Sequence, residues 1–463
     1  MRAIYFTFPA IAALSLVAGE RDASACGGCF VPGETVTVVS DHRMILSISK
    51  DRSTLYDQIR YQGDPASFAW VLPIAGTVDV GLSADIVFNT LDQQTQVRVL
   101  PPPQNCPPFP DECIRAGGGF ADAGSATGAN GGVQVLKSEV VGPYETRQLG
   151  ATDPNELANW LALNGFVIPN DVKPVIDKYL EEKFNFLVLK LAPGKGVNDM
   201  RPVRVTTTGA GAVLPLRMVA AGTGPVVGIS LWVIGEGRYE PQNFPSFVID
   251  TNDLAWDWAQ NKSNYTDLRA QKTAAGNGRI WEIESSPNVY RRNIELVVLN
   301  GSFPTQPPYP TTAEERAAVD YLPKTDDNGN ITKTASQVRQ EDLEILFDGV
   351  SQNGFARITR MRADLTHASL DQDLQLSASS SQAELATTRQ VVKELNQPQC
   401  PVWSGCTQAG TAPRDEAVAR STPPSSATGS SCAATPSANA TLFGTSFIFV
   451  ASALARAIRR RRQ

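Results

Sequence analysis

Histidine is nearly absent: the 463 residues hold two, His42 and His367. That scarcity excludes histidine-centred catalysis and any zinc site built on several imidazoles. No HExxH, no P-loop and no Ser–His–Asp signature is present. Gly222 to Gly228 lacks the spacing of a dinucleotide fingerprint, and Pro225 would block a helix start there. It reads as a turn, so no cofactor and no metal are expected. The body of the chain also lacks a basic patch, which removes nucleic acid from the expected partners. Charged residues make up 19% and hydrophobic ones 42%, enough apolar matter for a core and too much for global disorder. The 36 glycines and 32 prolines announce many turns and long loops.

What is present concentrates at the two ends. Arg2 supplies a short positive start, and Ala3 to Gly19 is apolar except for Thr7, Pro9 and Ser15. Ala23-Ser24-Ala25 follows with the small-x-small pattern of a signal-peptide cleavage site. Residues 1–25 are therefore expected to be a signal peptide, with Cys26 first after the cut at Ala25. Lipid attachment at Cys26 is disfavoured, because Ala23 stands where a lipoprotein site has Leu.

At the other end, residues 403–441 are rich in Ser, Thr, Ala, Pro and Gly, and are expected to form a disordered stalk. Residues 442–463 follow as an apolar segment and an arginine cluster. Leu442 to Ala455 is apolar, Arg456 interrupts, and Arg459, Arg460, Arg461 and Arg462 close the chain. Seventeen residues, Leu442 to Ile458, are marginal against the ~20 a spanning helix needs, which suits a temporary stop-transfer segment. Arginines favour the cytoplasmic side and would leave the body outside. This order, with Cys432 in a Gly/Ser setting ahead of it, resembles the MYXO-CTERM type of sorting tail. That resemblance implies cleavage near Cys432 and delivery to the cell surface. Losing the tail removes five arginines and makes an already acidic chain more acidic.

Seven cysteines fall into three close pairs and one remainder: Cys26/Cys29, Cys106/Cys113, Cys400/Cys406 and Cys432. An exported chain meets oxidising conditions, so disulfides are expected. Pairing within Cys106/Cys113 would clip a Pro-rich loop, and Cys400/Cys406 would close the end of the body, each for roughly 2–3 kcal/mol. Cys26-Gly27-Gly28-Cys29 reads first as a structural disulfide; anchoring, redox and metal roles stay open, the last short of partners.

Between the ends, residues 26–402 read as an α+β body of mostly antiparallel sheet and several short helices, with a long Pro/Gly loop at 101–132. Strands are expected at Glu34–Ser40 and Met44–Ser49 around a turn at Asp41-His42-Arg43, and at Ser53–Tyr61. Phe68–Ile74 is a continuous apolar run, as in a buried strand. Val133–Val141, Phe184–Leu191, Pro202–Thr207, Leu214–Val219, Val226–Ile234, Ile280–Ile283, Ile294–Leu299 and Phe355–Leu365 complete the strands. Helices are expected at Ser83–Gln93 with Ser83 as cap, from Asp153 to Gly165, and at Val172–Glu182, Thr311–Tyr321 and Ser336–Phe347.

Several segments occur in a familiar order. Ala25-Cys26-Gly27-Gly28 precedes Phe68-Ala-Trp-Val-Leu-Pro-Ile, Trp160-Leu161 and Asn164-Gly165-Phe166. Arg201-Pro202-Val203-Arg204-Val205, Leu214-Pro215-Leu216-Arg217 and Ile358-Thr359-Arg360-Met361-Arg362 follow. Over roughly residues 25–380 the chain resembles the uncharacterised bacterial secreted family catalogued as domain of unknown function 2330. The resemblance implies export and brings no activity and no catalytic residue.

Chemistry-bearing clusters are few. Trp256-Asp257-Trp258 with Tyr265 could be an aromatic platform for sugar, although such rings more often pack on a core. Asp326-Asp327-Asn328-Gly329-Asn330 has calcium-loop composition without the later Glu, and reads as a polar turn. Glu341, Asp342, Glu344 and Asp348 read as the solvated side of a helix rather than a catalytic pair. Asp371 and Asp373 read as surface charges. The expectation is an exported cell-surface or envelope protein, a non-enzymatic binding or structural module. Its partners would be the secretion and sorting machineries, and the membrane through its C-terminal segment. The alternative is an extracytoplasmic carboxylate-based hydrolase acting on polysaccharide.

Overall fold

The computed structural model describes residues 29–30, 41–58, 69–109, 139–149, 173–220, 225–326, 328–404 and 406–421. The expected signal peptide, Cys26, Cys113, the 153–165 helix, Cys432 and the 442–463 tail with its arginines lie outside them. Among the described residues no helix is long and apolar enough to cross a membrane.

The fold is α+β, as expected, and mostly antiparallel. Its centre is a ten-stranded sheet. The main path runs Ser246–Phe247, Trp281–Ser285, Phe355–Thr366, Val226–Gly235, Asp41–Ile48, Arg52–Gln58, Val203–Thr208, Asp79–Leu82. Two junctions on it are parallel: Val226–Gly235 with Asp41–Ile48, and Ser246–Phe247 with Trp281–Ser285. Period-two alternation decides which side chain faces which layer. In the 226–235 strand Trp232 and Ile234 enter one core while Leu231 and Val233 enter the other. The first core lies under the helices Asp85–Thr95, Arg291–Asn300, Ala313–Asp320 and Ala335–Phe347. The second is closed by the Leu216–Val219 helix and the strand Leu374–Ala378.

A five-stranded antiparallel sheet (Cys29–Phe30, Ala69–Ile74, Asn185–Leu191, Tyr144–Leu149, Glu139–Val141) packs beside it. Ala69–Ile74 is buried on both faces, which explains its unbroken apolar run. Trp70, Leu72 and Ile74 meet the edge strands of the large sheet; Ala69 and Val71 meet the Lys173–Glu181 helix through Ile176 and Tyr179. Each fully buried aromatic or branched side chain contributes roughly 1.5–3 kcal/mol.

Local readings fail where tertiary structure overrides them. Asp41-His42-Arg43 is no turn but the start of a strand, with His42 in register with Ile229. Leu214–Val219 is not a strand: Pro215, without an N–H for a ladder, ends a two-residue strand and precedes the Leu216–Val219 helix. Ile294–Leu299 lies in the Arg291–Asn300 helix, which buries Ile294 and Val298 four apart and exposes Leu296 and Val297. Ser83 does not cap the Asp85–Thr95 helix; Ala84 occupies that position without a side-chain bond.

Order continues past residue 402. Gln399–Ser404 and Thr407–Pro413 form a hairpin, and the Arg414–Ser421 helix packs on it through Ala417. The stalk expected from Trp403 therefore cannot begin before Ser421. The hairpin also corrects the cysteine pairing. Cys400 faces Ala412 across the ladder, whereas Cys406 sits at the turn, out of its reach. Cys400 instead bonds Cys106, 294 residues earlier, with a Cα–Cα distance of 5.3 Å. The Cys106/Cys113 and Cys400/Cys406 pairings are thus excluded, and Cys406 is itself disulfide-bonded. Phe109 packs edge-on against Trp403 at 4.9 Å, fixing the start of the Pro-rich loop on the hairpin.

Candidate functional site

A concentration of buried charge lies where the Ala335–Phe347 helix crosses the edge of the large sheet. Arg204 stands on the Val203–Thr208 strand between inward-facing Val203 and Val205, so alternation sends it to the opposite, helix-covered face. Its guanidinium passes over Gly81; a Cβ there would lie 2.5 Å from Arg204 Nη2, so glycine is what makes room. Arg204 Nη1 donates to Asp342 Oδ1 at 3.1 Å and Nη2 to Glu341 Oε1 at 3.1 Å. Lys333 Nζ donates to Glu341 Oε2 at 2.5 Å. Ser83 Oγ and Tyr321 OH both donate to Asp342 Oδ2, at 2.6 and 3.0 Å.

Asp342 is therefore not on a solvated face. It is 1% exposed, and so overturns that reading, because the helix turns it inward beside Leu343 and Leu346. Burial pushes its carboxyl up, and Arg204, Ser83 and Tyr321 offset part of that cost. Burial alone would raise Glu341 too, but Lys333 and Arg204 bring it below its ordinary value. For Arg204, burial opposes the charge and the facing carboxylates more than restore it, so it stays cationic.

Beside this cluster lies a cleft of about 90 Å³. Arg204, Lys324, Lys333, Asp79 and Glu341 contribute its charged lining; Val80, Leu82, Val140 and Leu322 are among its apolar walls. Arg204 Nε is buried without a hydrogen-bond partner.

The other acidic candidates are held in place by arginine. Arg217 bonds Asp373 at 2.7 Å and Glu182 at 2.6 Å, while Tyr179 donates to Asp373 at 2.5 Å. Asp371 pairs with Arg279 at 2.7 Å. Arg269 bridges Glu282 and Glu284, and Arg360 joins Glu284 to Asp92. Arg360 and Arg43 also flank the buried Trp232 ring.

Trp256 and Trp258 meet edge-on at 64° with centroids 6.1 Å apart, so they offer no flat stacking floor. Trp258 donates to Glu394, and Asp257 Oδ1 already accepts from Ala259, Gln260 and Asn396. Asp326 takes the backbone N–H groups of Asn328 and Asn330, as a polar hairpin turn does. Among the described residues no three potential ligands cluster for a metal.

Of the candidate cysteines, the structure joins Cys106 to Cys400; Cys29 lies in the strand pairing with Trp70. Arg204, Lys333, Ser83, Tyr321 and Asp79 were not singled out by sequence reasoning. A single Arg inside a buried alternating strand was the available signal, since such a cation needs a buried acid.

A family model described as uncharacterised protein conserved in bacteria, domain of unknown function 2330, matches residues 21–321. The match ends at Tyr321, short of the expected residue 380 and before the helix that carries Asp342. No curated protein matches the chain. Among solved structures, the crystal structure of baculovirus P35 is 13% identical with a TM-score of 0.27, covering 43% of this chain and 65% of that one. A mutated baculovirus P35 after caspase cleavage is 9% identical with a TM-score of 0.24, covering 73% and 100%. Likeness at that level carries no argument about fold or function.

Proposed function

The chain belongs to the bacterial family catalogued as domain of unknown function 2330, and from that premise we propose that it is an exported cell-surface or envelope protein that acts by binding rather than turnover. The observation that carries this reading is the Cys106–Cys400 bond. Cystines persist in oxidising compartments and are rare in reducing ones. Arg2, the apolar 3–19 segment and Ala23-Ser24-Ala25 supply the export address. Leu442 to Ala455 with Arg459 to Arg462 supplies a second address, read by sorting machinery and cut near Cys432.

The use of the carboxylates supports binding over hydrolysis. A glycosidase needs one acid with a raised pKa facing open space and a second facing the same bond. Glu341 is shifted downward, the wrong direction for an acid catalyst. Asp342 is shifted upward, but its carboxyl is sealed behind three partners, Ser83, Arg204 and Tyr321. Two observables test the proposal: fractionation of cells with intact-mass analysis of both termini, and incubation of the purified protein with envelope polysaccharides. The expected result is a chain in the envelope fraction, starting at Cys26, oxidised, and releasing no sugar. A full-length reduced chain in the cytoplasm, or catalytic release of sugar, would overturn it.

A further inference from the structure

The geometry points to a second cross-link, between Cys406 and Cys113, which with Cys106–Cys400 makes a two-rung clasp on the C-terminal hairpin. Cys406 is disulfide-bonded, and Cys106 and Cys400 bond each other. The partner of Cys406 is therefore one of Cys26, Cys29, Cys113 and Cys432.

Register decides among them. Arg98–Leu100 pairs in parallel with Thr388–Gln390. Val391 donates its N–H to the Leu100 carbonyl, and Gln390 donates to that of Pro101. Further along, Cys106 meets Cys400, and Phe109 meets Trp403 with ring centroids 4.9 Å apart. Each step toward the C-terminus in one segment accompanies a step the same way in the other. The two segments run side by side in one direction as far as Phe109. Cys113 comes four residues after Phe109, and Cys406 three residues after Trp403. At ~3.3 Å per extended residue those arms reach about 13 and 10 Å from a shared start, and neither has to turn back for Cα atoms to come within the roughly 4.4–6.8 Å of a cystine.

The other candidates start from worse places. Cys29 lies in the five-stranded sheet in register with Trp70, and Cys26 is three residues from it. Cys432 also follows an element docked on the hairpin, the Arg414–Ser421 helix, but eleven residues on rather than four. Loop closure favours the shorter connection.

The bond needs an oxidant, and an envelope protein bearing an exchangeable disulfide supplies it. Two thiols give up two protons and two electrons, and the donor disulfide is reduced to two thiols. Cys406 is exposed at the turn, whereas Cys400 is fully buried. An exchange partner reaches the outer rung and not the inner one, so the outer rung is the first to open under reductant.

The test maps the full-length oxidised protein without reduction, after free thiols are blocked and the chain is cut at Glu112 and Trp403. Those cuts separate Cys106 from Cys113 and Cys400 from Cys406. The Cys113 peptide should be joined to the Cys406 peptide. Cys113→Ser should leave Cys406 able to take one maleimide in the folded protein, where the wild type takes none at that residue. Limiting reductant should free Cys113 and Cys406 before Cys106 and Cys400. Cys406 joined to Cys26, Cys29 or Cys432, no label at Cys406 in Cys113→Ser, or Cys106–Cys400 opening first overturns the proposal. Any of these in protein recovered oxidised from the envelope removes the pairing and leaves the export reading standing. A chain with every cysteine reduced in the cell removes both.

Discussion

Asp57 gives the sharpest stability test. It sits on the Arg52–Gln58 strand, 3% exposed, with no hydrogen-bond partner on Oδ1. Burial pushes its carboxyl from 3.8 up to about 7. A folded-state value above the unfolded one means that stability is complete below pH 3.8 and is lost as pH rises to about 7. At roughly 1.4 kcal/mol per pH unit, that window amounts to about 4 kcal/mol. His42, on the adjacent strand, works in the opposite sense. Burial lowers it from 6.5 to about 4, so its contribution is lost as pH falls through that window, by about 3 kcal/mol. Between pH 4 and 6.5 the two slopes nearly cancel, and these groups leave the wild-type profile flat. Asp57→Asn keeps the shape and removes one slope. Urea unfolding at half-unit pH steps should show the variant gaining stability steadily over that window while the wild type does not. Relative to pH 4, the variant should lead by about 4 kcal/mol above pH 7. Parallel profiles for the two proteins would refute the claim that a desolvated carboxyl titrates at this position.

Three further outcomes are expected. Asp342→Asn, which leaves Arg204 with Glu341 as its remaining carboxylate partner, should cost about 1.5–3 kcal/mol by denaturant unfolding, the worth of a hydrogen bond to a charged group. The Arg204→Met/Asp342→Leu double variant should recover much of that loss, because removing both charges leaves neither uncompensated. Gly81→Ala should destabilise by about 1–3 kcal/mol, since its Cβ would displace the Arg204 guanidinium. A wild-type melting temperature would contradict that close approach. Non-reducing peptide mapping should recover Cys106 and Cys400 in one linked peptide pair. Cys400→Ser should lower stability by up to about 5 kcal/mol on chain-entropy grounds, and reductant should lower it further, because Cys406 is itself disulfide-bonded.

Strand positions were legible wherever alternation or a two-faced apolar run carried them. Val226–Gly235 and Phe355–Thr366 are such cases: each residue's layer follows from its parity. The charged cluster was not legible, for a reason of distance along the chain. Ser83, Arg204, Tyr321 and Asp342 come from four separate elements, and the Ser83–Asp342 bond alone spans 259 residues. Within its own helix Asp342 stands among Glu341 and Glu344, so local pattern assigns it to water. The acid's true environment is set by an arginine 138 positions earlier. Cysteine spacing misled in the same way: Cys400 and Cys406 are close in sequence, yet the hairpin turns them toward different partners. At Ile294 to Leu299 β-branched composition suggested a strand, while the four-residue interval between Ile294 and Val298 held the helical answer.

The Cys106–Cys400 bond also decides how a pull on the protein would be distributed. Tension drawn through the chain beyond Ser421 enters the 399–413 hairpin, meets first Cys406, itself disulfide-bonded, and then Cys400, which crosses covalently to Cys106. The intervening chain, including the long strands at 226–235 and 355–366, then forms a closed loop outside the load path. Among the described strands, those before Cys106, such as 41–48, 52–58 and 69–74, would carry the force. A body tethered at its far end in a sheared environment would in this way keep most of its sheet from being unzipped.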